Sequence, residues 1–502
     1  MKRRDFFKAA IISSAGMSLV FKHDLSPAKG INASVFDGRE GVRCYQGPPT
    51  DTIDTSISEL LKIGPGPSSS HTVAPLRIAA NFRAAMEELP RQRLSRARKI
   101  EARLYGSLSS TGRGHHTDRA ILAGLLGEKP ESCDTDLMQE LGHSGRTDTI
   151  SVQGQDFVIG AETIVWAKVD HNFPFENTLV MRLLDEQGEA VFSRQYYSTG
   201  GGFFKWKGQP EEERGEPVYR YSSMTGFKKV AENENKELHE IMMANEKAIT
   251  GKSEQEIVAH LDLVLDTMQE GVMLGLEEEG LLPAPFEFYR KARHIHQQAL
   301  KMEGGDRFMG LVSSYALAVS EGNAAGRLAV TAPTLGSAGT IPAVLHLMQH
   351  KLNYSRDAMR RGLLAAALVG FLCKNNASVA GAEVGCQGEI GVASAMAAAM
   401  ITHAGGASLQ ATETAASRAL MHHLGMSCDP VGGFVLIPCI ERNAFGALKG
   451  YNAYLLATNE MLSQMWGGLD RTIAAMLETG RALPRAYREM GTGGLAVTLV
   501  DC

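Results

Sequence analysis

Seven cysteines in 502 residues are too few for a disulfide scaffold, and an odd number cannot all pair within one chain. Positive charge is not in excess either. With 51 Lys and Arg against 56 Asp and Glu the formal net charge is −5, which gives no electrostatic footprint for gripping nucleic acid. No apolar run approaches the roughly 20 residues of a membrane-crossing helix, so no stable membrane span is expected. The chain has neither a GxxxxGK phosphate loop nor a strand-to-helix GxGxxG turn, which disfavours nucleotide binding. There is no long-period repeat and no low-complexity tract. What is present is a globular composition, 44% hydrophobic and 21% charged, long enough for two to four domains. The 53 glycines and the alanine-rich second half alternate with apolar residues rather than with Ser or Pro, which predicts closely packed helices.

Residues 1–21 read MKRRDFFKAAIISSAGMSLVF: twin arginines Arg3 and Arg4, then an apolar stretch of about 13 residues. This resembles a twin-arginine export signal, whose machinery carries folded, often cofactor-loaded cargo. Used as such it makes the protein periplasmic; otherwise the basic start belongs to a cytoplasmic protein.

Mixed signals follow from residue 51: a helix over Leu76–Glu88, then strands over Ile100–Tyr105, Ile164–Val169 and Asn177–Leu184. After the polar interval Lys228–Leu238 the period is helical almost to the end, and Met359–Leu372 and Val392–His403 are apolar on nearly all sides, as buried helices are. The predicted class is α+β. An N-terminal α/β-mixed domain (51–205) is followed by a linker (206–240) and an all-helical domain (241–502), with 1–50 as an export-type extension.

Several constellations carry chemistry. CQGEIG at Cys386 is followed 42 positions later by CDPVGG at Cys428 and 11 further on by CIERN at Cys439, each in a turn-like context between apolar helices. Thiolates on loops fixed by a rigid frame suit a soft metal or an iron–sulfur cluster, and three of them leave one corner of a 4Fe–4S cube open. The alternative is three buried, inert thiols, since no compact CxxC pair is present. Cys502, the last residue, follows GTGGLAV and is either a displaceable fourth ligand or a frayed terminus. GPSSSHT, residues 66–72, sets Ser68, Ser69, Ser70, His71 and Thr72 before a helix, where hydroxyls hold a carboxylate and an imidazole serves as base, or where they only cap. GRGHHTD adds His115 and His116 on a glycine-flanked loop with Asp118 in reach to orient one of them. TAPTLGSAGTIP (331–342) and YYSTGGGFF (196–204) have the composition of ligand-cradling loops.

Together, GPSSSHT, LYGSLSSTGRGHHTD, YYSTGGGF, APTLGSAGTIPAVL, NASVAGAEVGCQGEIG, CDPVGGFVLIPCIERNA and the terminal GGLAVTLVDC resemble the single-chain, iron–sulfur-dependent bacterial L-serine dehydratases, from about Ile53 to Cys502 and in the family's order. The resemblance implies a serine dehydratase β domain joined to a helical serine dehydratase α domain, and a homodimer. It implies a 4Fe–4S cluster on Cys386, Cys428 and Cys439, with Cys502 capping the open iron until substrate displaces it. It also raises His71 and His115 to catalytic candidates and Ser68, Ser69, Ser70 and Thr72 to substrate-binding ones. Two positions depart from the family pattern: Leu335 replaces an Asn that contacts substrate in the expected reading, and Cys373 replaces a common tyrosine.

The implied reaction is loss of water from L-serine, giving pyruvate and ammonia, with the open iron as Lewis acid and a nearby imidazole taking the Cα proton. The competing readings are an L-cysteine desulfidase-like lyase, an amino-acid-binding cluster sensor without turnover, and a pyridoxal-phosphate enzyme in which Lys374 is the nearest Schiff-base candidate.

Overall fold

Apolar residues at every second position close one mixed sheet over two helices in the N-terminal half. The computed structural model describes residues 50–210, 213–461 and 468–499, so the twin-arginine segment, Cys44 and Cys502 lie outside the described residues. Strand Lys99–Tyr105 turns Ile100, Ala102 and Leu104 inward. Its antiparallel neighbour Thr178–Leu184 sets Leu183, Met181 and Leu179 directly opposite them. This is the one-face-in, one-face-out pattern of an antiparallel pair. The sheet continues through Ala190–Ser198 to Phe204–Trp206, and on the other side Ile164–Trp166 adds the single parallel pairing. Helices Ala74–Glu87 and Thr117–Leu126 bury Leu76, Phe82, Ile121 and Leu125 in the same core.

The second half is helical, as its period predicts. Helix Ile390–Ala404 is buried along almost its whole length, against Arg356–Asn376, Leu409–Met421, Cys439–Asn459 and Thr340–His350. Its alanines and the facing glycines allow this. A Cβ at Gly362 would stand 2.8 Å from the Met400 carbonyl oxygen, and one at Gly450 2.9 Å from that of Ser394. Backbones this close leave no room for larger side chains. Among the described residues no single helix is long and apolar enough to cross a membrane.

The two parts interlock where they join. Ile53, Ile57, Leu60 and Leu61, at the start of the expected first domain, lie in the helical core. Strand Ile63–Pro65 then pairs with Leu328–Val330. The stretch 206–240 is not a free linker. Helix Met224–Glu234 buries Met224, Phe227 and Ala231 in that same core, because its polar residues are confined to one face. YYSTGGGFF forms a hairpin corner, in which Gly200, Gly201 and Gly202 all take positive φ. A Cβ on Gly200 would meet that of Ala380 at 2.8 Å, so glycine is needed for the sheet to approach the helical part.

Candidate active site

Ser68 caps a π-helical turn, Ser69–Val73, that runs directly into helix Ala74–Glu87, and its Oγ accepts from the His71 backbone N–H at 3.2 Å. The turn places His71 entirely inside the protein. There the His71 tautomer is set by its neighbours. Ser107 donates its hydroxyl proton to the Glu489 carbonyl at 2.6 Å, so its oxygen is left to accept from His71 Nε2 at 3.1 Å. Nδ1 is then the acceptor and takes the Ser70 hydroxyl at 2.8 Å. Both ring nitrogens of His71 are thereby occupied.

His115 stands beside it, ring centroids 4.5 Å apart. Its Nδ1 lies 2.8 Å from the Thr111 carbonyl oxygen, which only accepts, so Nδ1 carries the proton and Nε2 keeps a free lone pair. Burial, with the His115 charge added, holds His71 well below the usual histidine value, and burial takes His115 down to about 4. Both imidazoles are neutral at pH 7. The loop carrying His115 approaches the cysteine loop so closely that a Cβ on Gly114 would sit 2.5 Å from the Gly433 carbonyl oxygen.

Cys386 lies in a 3-10 turn, Cys428 in a loop bridged to Arg488, and Cys439 opens helix Cys439–Asn459. All three are buried and unpaired. The Cys386 and Cys428 sulfurs each stand 3.6 Å from Glu389 Oε2, and this trio has its ligand atoms within 4.8 Å of one another. The adjoining Cys386 thiol and burial raise Cys428 well above the normal thiol value. Burial, then Cys386, does the same to Cys439. Arg442 donates to the Ser427 carbonyl at 2.6 Å and pairs with Asp429, and its pKa is raised, against burial, by Cys386, Cys439, Asp429 and Cys428. Soft donors crowded together in a buried site form a set that a polyvalent cation would suit.

One cavity brings several of these groups together: Ser68, His115, Gly336, Glu389, Cys428, Cys439 and Glu489 are among its walls, while His71 and Cys386 stand behind them. Two of these, Glu389 and Glu489, sequence reasoning missed. Glu389 was legible as the carboxylate three positions after Cys386 in CQGEIG, whereas nothing around Glu489 marks it. Burial pushes both acids up to about 7.

Other expected residues fall elsewhere. Ser69 is buried in the turn, and Thr72 spends its hydroxyl on the His115 carbonyl at 2.7 Å, so it positions the histidine loop rather than walling the cavity. His116 takes φ 57° at the start of helix Thr117–Leu126. Asp118, expected to orient an imidazole, leaves its Oδ1 without a hydrogen bond, and the Thr111 carbonyl does that work instead. Leu335 points into the helical core while its neighbour Gly336 walls the cavity, so this departure removes no wall residue. Cys373 is a core thiol whose pKa is raised by burial. Lys374 packs over the Phe203 ring and donates to Thr55, away from the cavity, which leaves the pyridoxal-phosphate reading without its lysine.

The family model described as serine dehydratase beta chain matches residues 56–209, and that described as serine dehydratase alpha chain matches 233–496. The L-serine dehydratase of Haemophilus influenzae is 38% identical over 466 residues, covering 89% of this chain and 99% of its own. The L-serine dehydratase of Streptomyces coelicolor and L-serine dehydratase 2 of Escherichia coli are each 38% identical with the same coverage.

Proposed function

This chain belongs to the serine dehydratase family, its beta and alpha parts fused in one polypeptide, and we propose that it eliminates water from L-serine with an open-corner 4Fe–4S cluster on Cys386, Cys428 and Cys439. The enzyme is a lyase of amino-acid degradation. The observation that carries the reading is the meeting, in one cavity, of buried unpaired thiols with a neutral imidazole whose lone pair is free.

The residues fit the cluster. The sulfurs are soft donors, unpaired and crowded, with Arg442 beside them to offset thiolate charge. When bound, the cluster supplies a Lewis-acidic iron toward the leaving hydroxyl of the substrate. His115 Nε2 takes the Cα proton, since Thr111 holds the ring in the tautomer that accepts there. His71 positions: fixed between Ser70 and Ser107, it backs the His115 ring and keeps water out. Ser68, at the wall, offers its hydroxyl to the substrate carboxylate. Loss of the Cα proton and of hydroxide gives aminoacrylate and water. Its imine tautomer hydrolyses to pyruvate and ammonia.

Cys502 as the displaceable cap, export through the twin-arginine machinery with a periplasmic location, and a homodimer belong to the same proposal. Phe445 and Leu456, exposed on one face of helix Cys439–Asn459, support the dimer. The test is anaerobic purification with iron and sulfide analysis and a pyruvate assay on L-serine and L-cysteine. Iron with pyruvate from serine supports the reading. Sulfide release from cysteine alone, or iron without turnover, replaces it with the lyase or sensor alternative.

A further inference from the structure

Glu489 takes no part in the steps above, yet it is held at the cavity with unusual firmness. Its backbone adopts φ 61°, the left-handed region that residues with side chains avoid. Both backbone groups are tied: the N–H donates to the Cys428 carbonyl at 2.7 Å and the carbonyl accepts from Ser107 at 2.6 Å. The side chain is less well served. Oε1 lies 3.2 Å from Ser70 Oγ, but that hydroxyl is nearer to His71 Nδ1, at 2.8 Å; Oε2 is buried without a well-aligned hydrogen bond, and the donors beside the carboxyl, the Asn177 amide and the Ala382 backbone, carry no charge. His71 Nδ1, 3.6 Å away, is unprotonated and offers no counter-charge, no Lys or Arg pairs with Glu489 among the described residues, and none stands among the cavity walls.

A buried acid without a counter-charge costs stability, and a strained backbone that aims it at a cavity persists where a ligand completes the pair. The other acid of the cavity is already engaged: Glu389 accepts from Thr334 at 2.9 Å and faces two sulfurs. Taking the substrate to be L-serine, as read above, we infer that Glu489 binds its α-ammonium group. It thereby selects amino acids over hydroxy acids of the same shape. Ser68 serves the substrate carboxylate and Glu489 its nitrogen, which fixes the Cα–H bond between two anchors, and a group held by the thiols would take the hydroxyl.

The test compares L-serine with 3-hydroxypropanoate, the same molecule without its ammonium group, by calorimetric binding to the anaerobically prepared holoenzyme. The wild type is expected to bind 3-hydroxypropanoate at least about 10²-fold more weakly, as a site with a buried partner rejects a ligand lacking its mate. In Glu489→Gln, L-serine affinity should fall by a similar factor and the preference shrink to within about tenfold. Glu489→Asp, which keeps the charge, should retain most of it. Equal binding of both ligands by the wild type overturns the inference even if the glutamine variant does not fold. So does a glutamine variant with lowered turnover or melting temperature but unchanged preference, and so does absence of any L-serine binding. Ammonium-dependent binding without pyruvate formation sinks the activity reading and leaves this one standing.

Discussion

The Thr111 carbonyl oxygen lies 2.8 Å from His115 Nδ1 and, being unable to donate, decides which nitrogen of that ring is basic. The neighbouring His71 has both nitrogens occupied by hydroxyls, so the two imidazoles of the site are chemically unequal.

Replacing His115 by Gln should therefore lower kcat by about 10²- to 10⁴-fold with the iron content unchanged, as loss of a general base does. His71→Gln should cost less. Steady-state pyruvate formation at matched iron loading checks this, and equal losses in the two variants would assign both rings to proton transfer.

Each of Cys386→Ser, Cys428→Ser and Cys439→Ser should reduce bound iron together with activity, because a hydroxyl is a harder and more weakly ionised ligand than a thiol. Cys502→Ser should keep its iron. The readouts are iron and sulfide per chain and the visible spectrum, measured without oxygen. A serine variant at any of the first three positions with full iron would remove it from the ligand set.

Gly114→Ala is expected to weaken activity without emptying the cysteine set. The added methyl meets the Gly433 carbonyl oxygen, and backbone against backbone has no flexible end to yield. The strain should cost about 1–3 kcal/mol of stability and separate His115 from the cysteine loop. Thermal melting with kcat and iron content tests it; unchanged melting and turnover would show that the two loops are free to part.

Glu246 supplies a pH-dependent term far from the cavity. Its Oε2 accepts from the Ile57 N–H at 2.7 Å, and burial raises its pKa from the usual 4.5 to about 7. A carboxyl raised on folding favours the folded state fully below its unfolded pKa and loses that contribution as pH climbs through the folded one. The wild type should thus lose up to about 3 kcal/mol from this group between pH 4.5 and 8. Glu246→Gln, which keeps an acceptor but cannot ionise, should melt higher than the wild type above pH 7 and lose that advantage toward pH 5. A constant difference across that range would mean that Glu246 does not titrate there.

Phe445→Glu with Leu456→Glu should convert a dimer to a monomer in light scattering at unchanged melting temperature of the monomer, since both side chains are exposed on the single chain. A monomeric wild type would end the dimer proposal.

Periodicity made the helices Ala74–Glu87, Arg356–Asn376 and Ile390–Ala404 and the strands Lys99–Tyr105 and Thr178–Leu184 legible to within a few residues, because each buries one face or all faces of a regular element. At YYSTGGGFF the close approach of Gly200 to Ala380 was not legible from composition, and at 206–240 a polar helix face looked like linker.

The sequence by itself determined the family, the fold class and the kinds of atoms on offer: soft sulfurs, imidazoles and hydroxyls in recognisable motifs. Tertiary structure alone decided which of them share a cavity, which histidine keeps a free lone pair, and that Glu489, over 400 positions from Ser70, stands beside it. The reason is physical. Residue type and short-range spacing fix local conformation and ligand chemistry, but a tautomer or an unmatched buried acid is created by partners that only folding brings within hydrogen-bond distance.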